Sequence, residues 1–231
     1  MGYGDDTSNN CLSCRSKQLM KKTLCLFPKD ETTEFLRPIY EELCNKDSII
    51  GFDNDAIEDD DYFEKLENLL QQTDNLIFLG HGSSNTLYGT RLNPIIDDKS
   101  GNLDYLRKRK LLLFSCKSSD YIKHYYLNDA IGFGFIPTSK DDAHDGAKLH
   151  DLDISNLDHA SLQIFRDSIV RIWQRTLKQT DWYNTYSFIS YFSFFTNIEI
   201  VNVLKNHKNN PNYRLVADML YYLKTDIEYV E

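Results

Sequence analysis

Short apolar runs, each five or six residues long, recur along the first 135 residues of the chain. They lie at residues 23–27, 48–52, 75–79, 110–115 and 130–135. The segments after the first two runs carry apolar residues at helical spacing, as in Phe63, Leu66 and Leu70. Apolar strands that alternate with helices are typical of a parallel sheet covered on both faces. The sequence therefore predicts a three-layer α/β/α sandwich with a mostly parallel central sheet.

The two ends of the chain differ from this pattern. Residues 1–21 are polar and without periodicity, so we predict a flexible N-terminal tail. A helical stripe near Phe165 and Trp173 predicts that the C-terminal part is helical. Residues 182–198 are uncharged but broken by Asn, Ser and Thr, so we predict a buried aromatic helix there rather than a membrane span. A length of 231 residues suits one folded domain, which we place at residues 22–231.

Charge and cysteine content limit the kinds of partner and compartment. The net charge is -9, which argues against nucleic acid as the main partner, because phosphate binding depends on Lys and Arg. The five cysteines are an odd number and lack the density of a secreted disulfide scaffold, so reduced thiols in a cytoplasm fit better. The first residues show no signal-peptide pattern. We therefore expect a cytoplasmic protein that binds neither nucleic acid nor membrane.

A histidine and a cysteine follow two of the predicted strands. His81 comes after the third apolar run and Cys116 after the fourth. Functional groups of a parallel sheet collect at the carboxyl ends of its strands, and neighbouring strands lie about 4.8 Å apart. If these two strands are neighbours, the imidazole and the thiol emerge side by side. The imidazole would then activate the thiol for acyl transfer, and later protonate the leaving amine.

The residues around this pair suit the same chemistry. The backbone N–H groups of Gly82 and Cys116 are candidates for an oxyanion hole. Ser118, Ser119 and Asp120 favour a helix that begins just after the cysteine, and a helix N-terminus favours the thiolate. We predict no metal ion and no cofactor.

The two motifs, FLGHGSS and LLFSCKSS, resemble those of the caspase-like cysteine peptidases, which include caspases, metacaspases, separases and the bacterial CHAT domains. The likeness is greatest to CHAT domains. It extends to residues 130–135 and to the helix near Phe165, whereas residues 213–218 lack the Gly-Asp-Pro turn that this group often carries. The pair lies 35 positions apart, fewer than the roughly 50 of caspases, and the Gln-Ala-Cys signature is absent.

The resemblance implies a caspase-like fold and a regulated cysteine endopeptidase with His81 and Cys116 as its dyad. It also implies a protein substrate, a regulatory protein partner and a place in a bacterial defence or cell-death pathway, for example antiviral defence. Acidic residues near the expected cleft are candidates for binding a basic substrate side chain, and we prefer Asp120 and Asp141. The others are Asp53, Asp55 and Asp142.

Several alternatives stay open. His81 and Cys116 are each, taken alone, more often structural than catalytic, and the same fold can serve as a silent scaffold or sensing subunit. A flavodoxin-like nucleotide binder is disfavoured because the first strand is followed by Phe-Pro-Lys-Asp-Glu and not by a glycine-rich loop. Cys11 and Cys14 have the spacing of zinc ligands without a second pair. The loop at 139–159 is rich in Asp and His, and it is a solvated loop, a cation site or an element ordered by an activator.

Overall fold

The computed structural model describes residues 21–137, 139, 143 and 150–231. In this part of the chain, most strands belong to a six-stranded sheet and the others to a small three-stranded sheet. The strands are β1 (Thr23–Leu26), β2 (Ile49–Phe52), β3 (Asn75–Leu79), β4 (His81–Gly82), β5 (Leu87–Tyr88), β6 (Pro94–Ile96), β7 (Lys110–Phe114), β8 (Ala130–Gly132) and β9 (Glu228–Val230).

The six-stranded sheet is mixed but mostly parallel. Its strand order is β2-β1-β3-β7-β8-β9. All neighbouring pairs are parallel except the last, in which β9 runs antiparallel to β8. The prediction of a mostly parallel central sheet is confirmed, and the five predicted apolar runs supply its first five strands. The edge strand β9 was not predicted, because its sequence Glu-Tyr-Val is short and half-buried.

Helices lie on both faces of this sheet. They are α1 (Arg37–Cys44), α2 (Tyr62–Gln72), α3 (Ser118–His124), α4 (His159–Gln179), α5 (Thr185–Asn206) and α6 (Tyr213–Thr225). Short 3₁₀ helices occupy Glu34–Leu36, Thr90–Leu92 and Asn102–Tyr105. Pro38 lies in the first turn of α1, where no backbone N–H is needed, and the helix continues past it. The predicted helical C-terminal part is confirmed by the last three helices.

The central strands are buried on both faces, as their uninterrupted apolar sequences predict. On one face, Ile77, Leu112 and Ile131 pack with side chains of α1, α4, α5 and α6. On the other face, Leu76 and Leu111 pack with side chains of α2 and α3. Each fully buried aliphatic or aromatic side chain contributes about 1.5–3 kcal/mol. The two apolar layers therefore fix the central strands, and with them the loops that leave their carboxyl ends.

The helix α5 differs from its prediction. Phe188, Phe192 and Val203 are buried, as expected. Its opposite side is exposed, and an 18-residue window of this helix is only 28% buried. By length and composition alone α5 is able to cross a membrane, a test that core helices of soluble proteins also pass. The aromatic pattern thus predicted the helix correctly. Its burial was predicted for the whole helix, but only one side is buried.

A buried carboxylate connects α5 to α4. Glu199 is 1% exposed and accepts from Arg171 at 3.0 Å and from Arg175 at 2.9 Å. It is the charged residue in an otherwise uncharged stretch from 185 to 204. A buried charge needs such partners, because its desolvation is otherwise too costly.

Candidate functional site

The segments that carry His81 and Cys116 leave two neighbouring strands at the same height. β3 and β7 are parallel neighbours, with Leu79 opposite Phe114 in the register. The backbone N–H of Gly80 donates to the carbonyl of Phe114 at 3.2 Å. The predicted adjacency of the two strands is therefore confirmed, and each of the two residues follows its strand after one intervening position.

Gly82 lies directly against the cysteine segment. A Cβ atom added at this position would lie 2.4 Å from Oγ of Ser115 and 3.0 Å from the carbonyl oxygen of Cys116. Real Cβ atoms do not approach other atoms to 2.4 Å. Only glycine therefore allows the histidine loop to pack this closely on the backbone of the cysteine loop.

Cys116 is half-buried, and its thiol donates to the carbonyl of Ile136 at 2.6 Å. The hydrogen bond requires the protonated form of the thiol. The next residue, Lys117, has the left-handed backbone conformation with φ of 55°, which costs a non-glycine residue roughly 1–2 kcal/mol. Its backbone N–H donates to Gly134 at 2.7 Å. This turn lets α3 begin at Ser118, as the sequence predicts.

The hydroxyl of Ser118 holds the end of β7 to the segment after β8. It donates to the carbonyl of Leu113 at 2.6 Å and accepts from the backbone N–H of Phe133 at 2.8 Å. Ser118 is fully buried. The cysteine loop is therefore fixed on both sides by backbone and hydroxyl hydrogen bonds.

The imidazole of His81 is held by two residues that follow β1. Its Nε2 lies 2.6 Å from Oγ1 of Thr32 and 3.3 Å from Oδ1 of Asp30. The Thr32 hydroxyl itself donates to the Asp30 carboxylate at 2.7 Å. Because the hydroxyl donates its only proton to Asp30, its oxygen can only accept a hydrogen bond from Nε2–H of His81. The hydrogen bonds thus place the proton of a neutral His81 ring on Nε2 and the lone pair on Nδ1.

Asp30 is a partly buried carboxylate with several donors. Partial burial tends to raise its pKa, but hydrogen bonds from the side chain and backbone of Thr32 and from the backbone N–H of Arg91, together with the positive charge that His81 carries in its protonated form, outweigh burial. The net effect lowers the pKa of Asp30 below its ordinary value of 3.8. The group is therefore an anion at neutral pH.

A cleft of about 630 Å³ opens beside the cysteine. Gly82 and Cys116 contribute to its lining, whereas His81 does not. Asp120, in the first turn of α3, also lines this cleft and is exposed. The other preferred acid, Asp141, lies outside the described residues, as does Asp142.

Most other charged groups of the cleft are paired within the protein. Lys123 contacts Glu228 at 2.6 Å. His150 contacts Asp226 at 2.8 Å and stacks on Tyr222, with 3.8 Å between ring centroids. These pairs join the cleft wall to the C-terminal helix and strand.

The remaining acids considered for substrate binding have structural partners. Asp53 pairs with Arg37 at 2.5 Å. Asp55 accepts from the backbone N–H groups of Ile57 and Glu58. Both carboxylates therefore stabilise the loop after β2. Of the described acids considered for substrate binding, Asp120 is the one that lines the cleft.

The sequence offers candidate metal ligands, but they do not form a metal site in the part of the chain that the structure describes. Among these residues, no group of three or more His, Cys, Asp or Glu could hold a metal ion. Within the acidic loop, Asp158 accepts from the backbone N–H of Ser161 at 2.8 Å and begins α4. Asp153 accepts from the backbone N–H of Ser155. The pair Cys11 and Cys14, the predicted tail up to residue 20, and His144 and Asp145 of the loop lie outside the described residues.

The sequence interpretation missed Asp30 and Thr32. Both lie just beyond the carboxyl end of β1, which neighbours β3. The rule that led to His81 and Cys116 applies equally to this third strand end. The missed signal was therefore present in the stretch Phe-Pro-Lys-Asp-Glu, which served only to argue against a phosphate loop.

Taken together, the fold and the site define an α/β protein with a thiol and a carboxylate-bound imidazole on loops from neighbouring parallel strands. No family model, no curated protein and no solved structure matches this chain.

Proposed function

We propose that this protein is a cysteine endopeptidase of caspase-like fold, similar to the bacterial CHAT domains, in which Cys116 is the nucleophile and His81 the general base. The proposal is carried by one observation. The loops that bear these two residues leave neighbouring parallel strands in register, and Gly82 packs against the backbone of Cys116. Both motifs that carry the resemblance therefore meet at one edge of the sheet.

The chemical step is acyl transfer through a thioester. His81 takes the thiol proton at Nδ1, and the thiolate of Cys116 attacks the carbonyl carbon of the scissile peptide bond. The carbonyl π bond breaks and its electron pair forms an oxyanion, which the backbone N–H groups of Gly82 and Cys116 stabilise. The oxyanion collapses, the C–N bond breaks, and the imidazolium gives its proton to the leaving amine. Water then hydrolyses the thioester with His81 again as base.

The substrate is a protein segment that enters the cleft beside Cys116. Asp120 lines this cleft and offers a carboxylate to a Lys or Arg side chain of the substrate. Asp141, outside the described residues, keeps the same proposed role from its position in the sequence. No cofactor or metal enters this mechanism.

Regulation by a protein partner fits the state of the thiol. The Cys116 thiol donates to the carbonyl of Ile136, and a carbonyl acceptor stabilises the protonated form over the thiolate. Attack on a substrate requires the thiol to turn away from this carbonyl. From the resemblance we add that the activator and the substrate are proteins of a cytoplasmic bacterial defence or cell-death pathway.

The proposal predicts that a peptide probe with a thiol-directed warhead and a basic residue at the cleavage position labels Cys116. Cys116→Ala should abolish labelling, and His81→Ala should reduce it about 100-fold or more, the contribution of a positioned base. Cys44→Ala is the matched control, because Cys44 is also a half-buried cysteine that forms no disulfide. Labelling is followed by mass spectrometry with the neighbouring encoded proteins present as activators and substrates.

Two outcomes would reject the assignment. One is labelling that persists in Cys116→Ala. The other is a set of cleaved peptides that is the same for the wild-type protein and for Cys116→Ala.

A second candidate function is a catalytically silent scaffold or sensing subunit of a larger complex. The observation that favours it is the placement of the two groups in this structure. The thiol is bound to Ile136, and His81 is not part of the cleft lining. In that case Cys116 would react with alkylating reagents no faster than a peptide with one exposed cysteine, and complex formation would not change this.

A further inference from the structure

We infer that Asp30, acting through Thr32 and directly, is the positioning residue of His81, which fixes the ring tautomer and stabilises the imidazolium formed when the thiol is deprotonated. This inference rests on the proposed function for its catalytic consequence. Its structural part, the tautomer of His81, is independent of that function.

Three separate segments converge on the Asp30 carboxylate. Its Oδ1 accepts from the backbone N–H of Thr32 at 3.0 Å and from the Thr32 hydroxyl at 2.7 Å. The same oxygen lies 3.3 Å from Nε2 of His81. Its Oδ2 accepts from the backbone N–H of Arg91 at 3.1 Å. The carboxylate thus joins the loop after β1, the start of β4 and the loop before β6.

The side chains of this cluster are shielded from water. The exposed fraction is 13% for Asp30 and 12% for His81. Charge-assisted hydrogen bonds are strong in such an environment, and a fixed acceptor restricts the rotation of the ring. The carboxylate therefore has the burial and the geometry to hold one orientation of the imidazole.

The backbone at Arg91 has an unusual conformation, which the contacts with the Asp30 loop hold in place. Arg91 and Leu92 have φ of 52° and 58°, the left-handed region that non-glycine residues rarely adopt. The neighbouring hydroxyl of Thr90 donates to the carbonyl of Lys29 at 2.6 Å. Both contacts bind this turn to the loop that carries Asp30. Such outliers persist where surrounding interactions impose them, and they are frequent at functional sites.

The hydrogen bonds of Thr32 determine which nitrogen of the His81 ring carries the proton. Thr32 gives its hydroxyl proton to Asp30 and accepts from His81, so the ring proton is directed to Nε2. Nδ1 then carries the lone pair that receives the thiol proton. When it does, the ring gains a positive charge at a position where its Nε2 lies 3.3 Å from Oδ1 of the ionised Asp30.

A purely structural role would be to hold the turn at Arg91. Asp30→Asn removes the charge, but its single amide oxygen can replace only one of the two carboxylate oxygens that accept from the backbone N–H groups of Thr32 and Arg91. A variant that keeps the carboxylate is therefore needed to separate the two roles. Thr32→Val removes the relay hydroxyl and leaves the carboxylate. Thr32→Ser retains the hydroxyl and is the conservative rescue variant. Asp97→Asn is the matched control, since Asp97 accepts two backbone N–H bonds in another loop.

Two readouts test the inference. The first is the ¹⁵N spectrum of the His81 ring, recorded in a Cys116→Ala background. We expect the Nε2–H tautomer with Asp30 and Thr32 present, and a mixture of tautomers in Asp30→Asn and Thr32→Val. The second is the rate at which the peptide probe labels Cys116, which we expect to fall about 100-fold in Asp30→Asn and less than threefold in Thr32→Ser and Asp97→Asn.

An unchanged tautomer together with a labelling rate within twofold of wild type in Asp30→Asn would overturn the inference. If Asp30→Asn fails to fold, as judged by its melting curve, the same pair of results for Thr32→Val overturns it. Failure of the proposed function looks different: the wild-type protein is then not labelled, while the tautomer still responds to Asp30→Asn.

Discussion

At the scale of single residues, the geometry of the candidate site depends on side chains that are small or absent as much as on His81 and Cys116. Gly82 lets two loops pack with their backbones in near contact, and Ser118 fits its hydroxyl between three backbone carbonyls and a backbone N–H. No side-chain group of either residue takes part in the proposed chemistry. Both determine where the groups of the neighbouring His81 and Cys116 lie.

Gly82→Ala should therefore destabilise the protein and impair the site. The added methyl group would overlap Ser115, and overpacking of this kind costs about 1–3 kcal/mol. Chemical denaturation gives the free energy of unfolding, and the peptide probe reports on Cys116. Combining the change with Ser115→Ala removes the closest contact and should recover part of the loss. Wild-type stability in Gly82→Ala would contradict the close packing of the two loops.

The element scale shows where sequence patterns were sufficient. Continuous apolar runs identified β1, β3 and β7, because strands buried on both faces need apolar side chains at every position. The start of α3 followed from good first-turn residues. The pairing of β8 with β9 could not be predicted from the sequence, because no local pattern in residues 228–230 indicates which strand they join. The exposure of one side of α5 was also missed, because its aromatic residues lie on both sides of the helix.

Within α5, Glu199 provides a test of how the helix is attached. Glu199→Gln should lower the free energy of unfolding by about 1–2 kcal/mol, below the value for a fully buried pair, because Arg171 and Arg175 are 37% and 43% exposed and remain hydrated. The melting temperature should fall by about 2–8 °C. Glu34→Gln, at an exposed pair with Arg37, should change stability by less than about 0.5 kcal/mol. Equal stability of wild type and Glu199→Gln would contradict the role of Glu199 in attaching α5.

At the scale of the whole molecule, the mostly parallel sheet gathers three strand ends at one edge, which is the candidate site. The loops after β1, β3 and β7 bring a carboxylate, an imidazole and a thiol to this edge, although they are far apart in the sequence. The sequence located the imidazole and the thiol because both follow apolar strands. It did not locate the carboxylate, since Asp30 is separated from β1 by Phe27, Pro28 and Lys29 and becomes part of the site only through the fold.

The central claim is that His81 and Cys116 act on one proton, and the pH dependence of thiol alkylation tests it most directly. The second-order rate of iodoacetamide with Cys116 is measured by mass spectrometry at pH 6 and pH 9, in the wild-type protein and in His81→Ala, with the neighbouring encoded proteins present as activators. A peptide with one exposed cysteine is the reference, because hydrogen bonds with Cys25 and Tyr40 lower the pKa of Cys44. We predict that at pH 6 Cys116 reacts at least 10-fold faster than the reference peptide in the wild type, and that this difference disappears in His81→Ala. Equal rates for Cys116 and the reference peptide in the wild type, or an unchanged rate at Cys116 after His81→Ala, would contradict the claim.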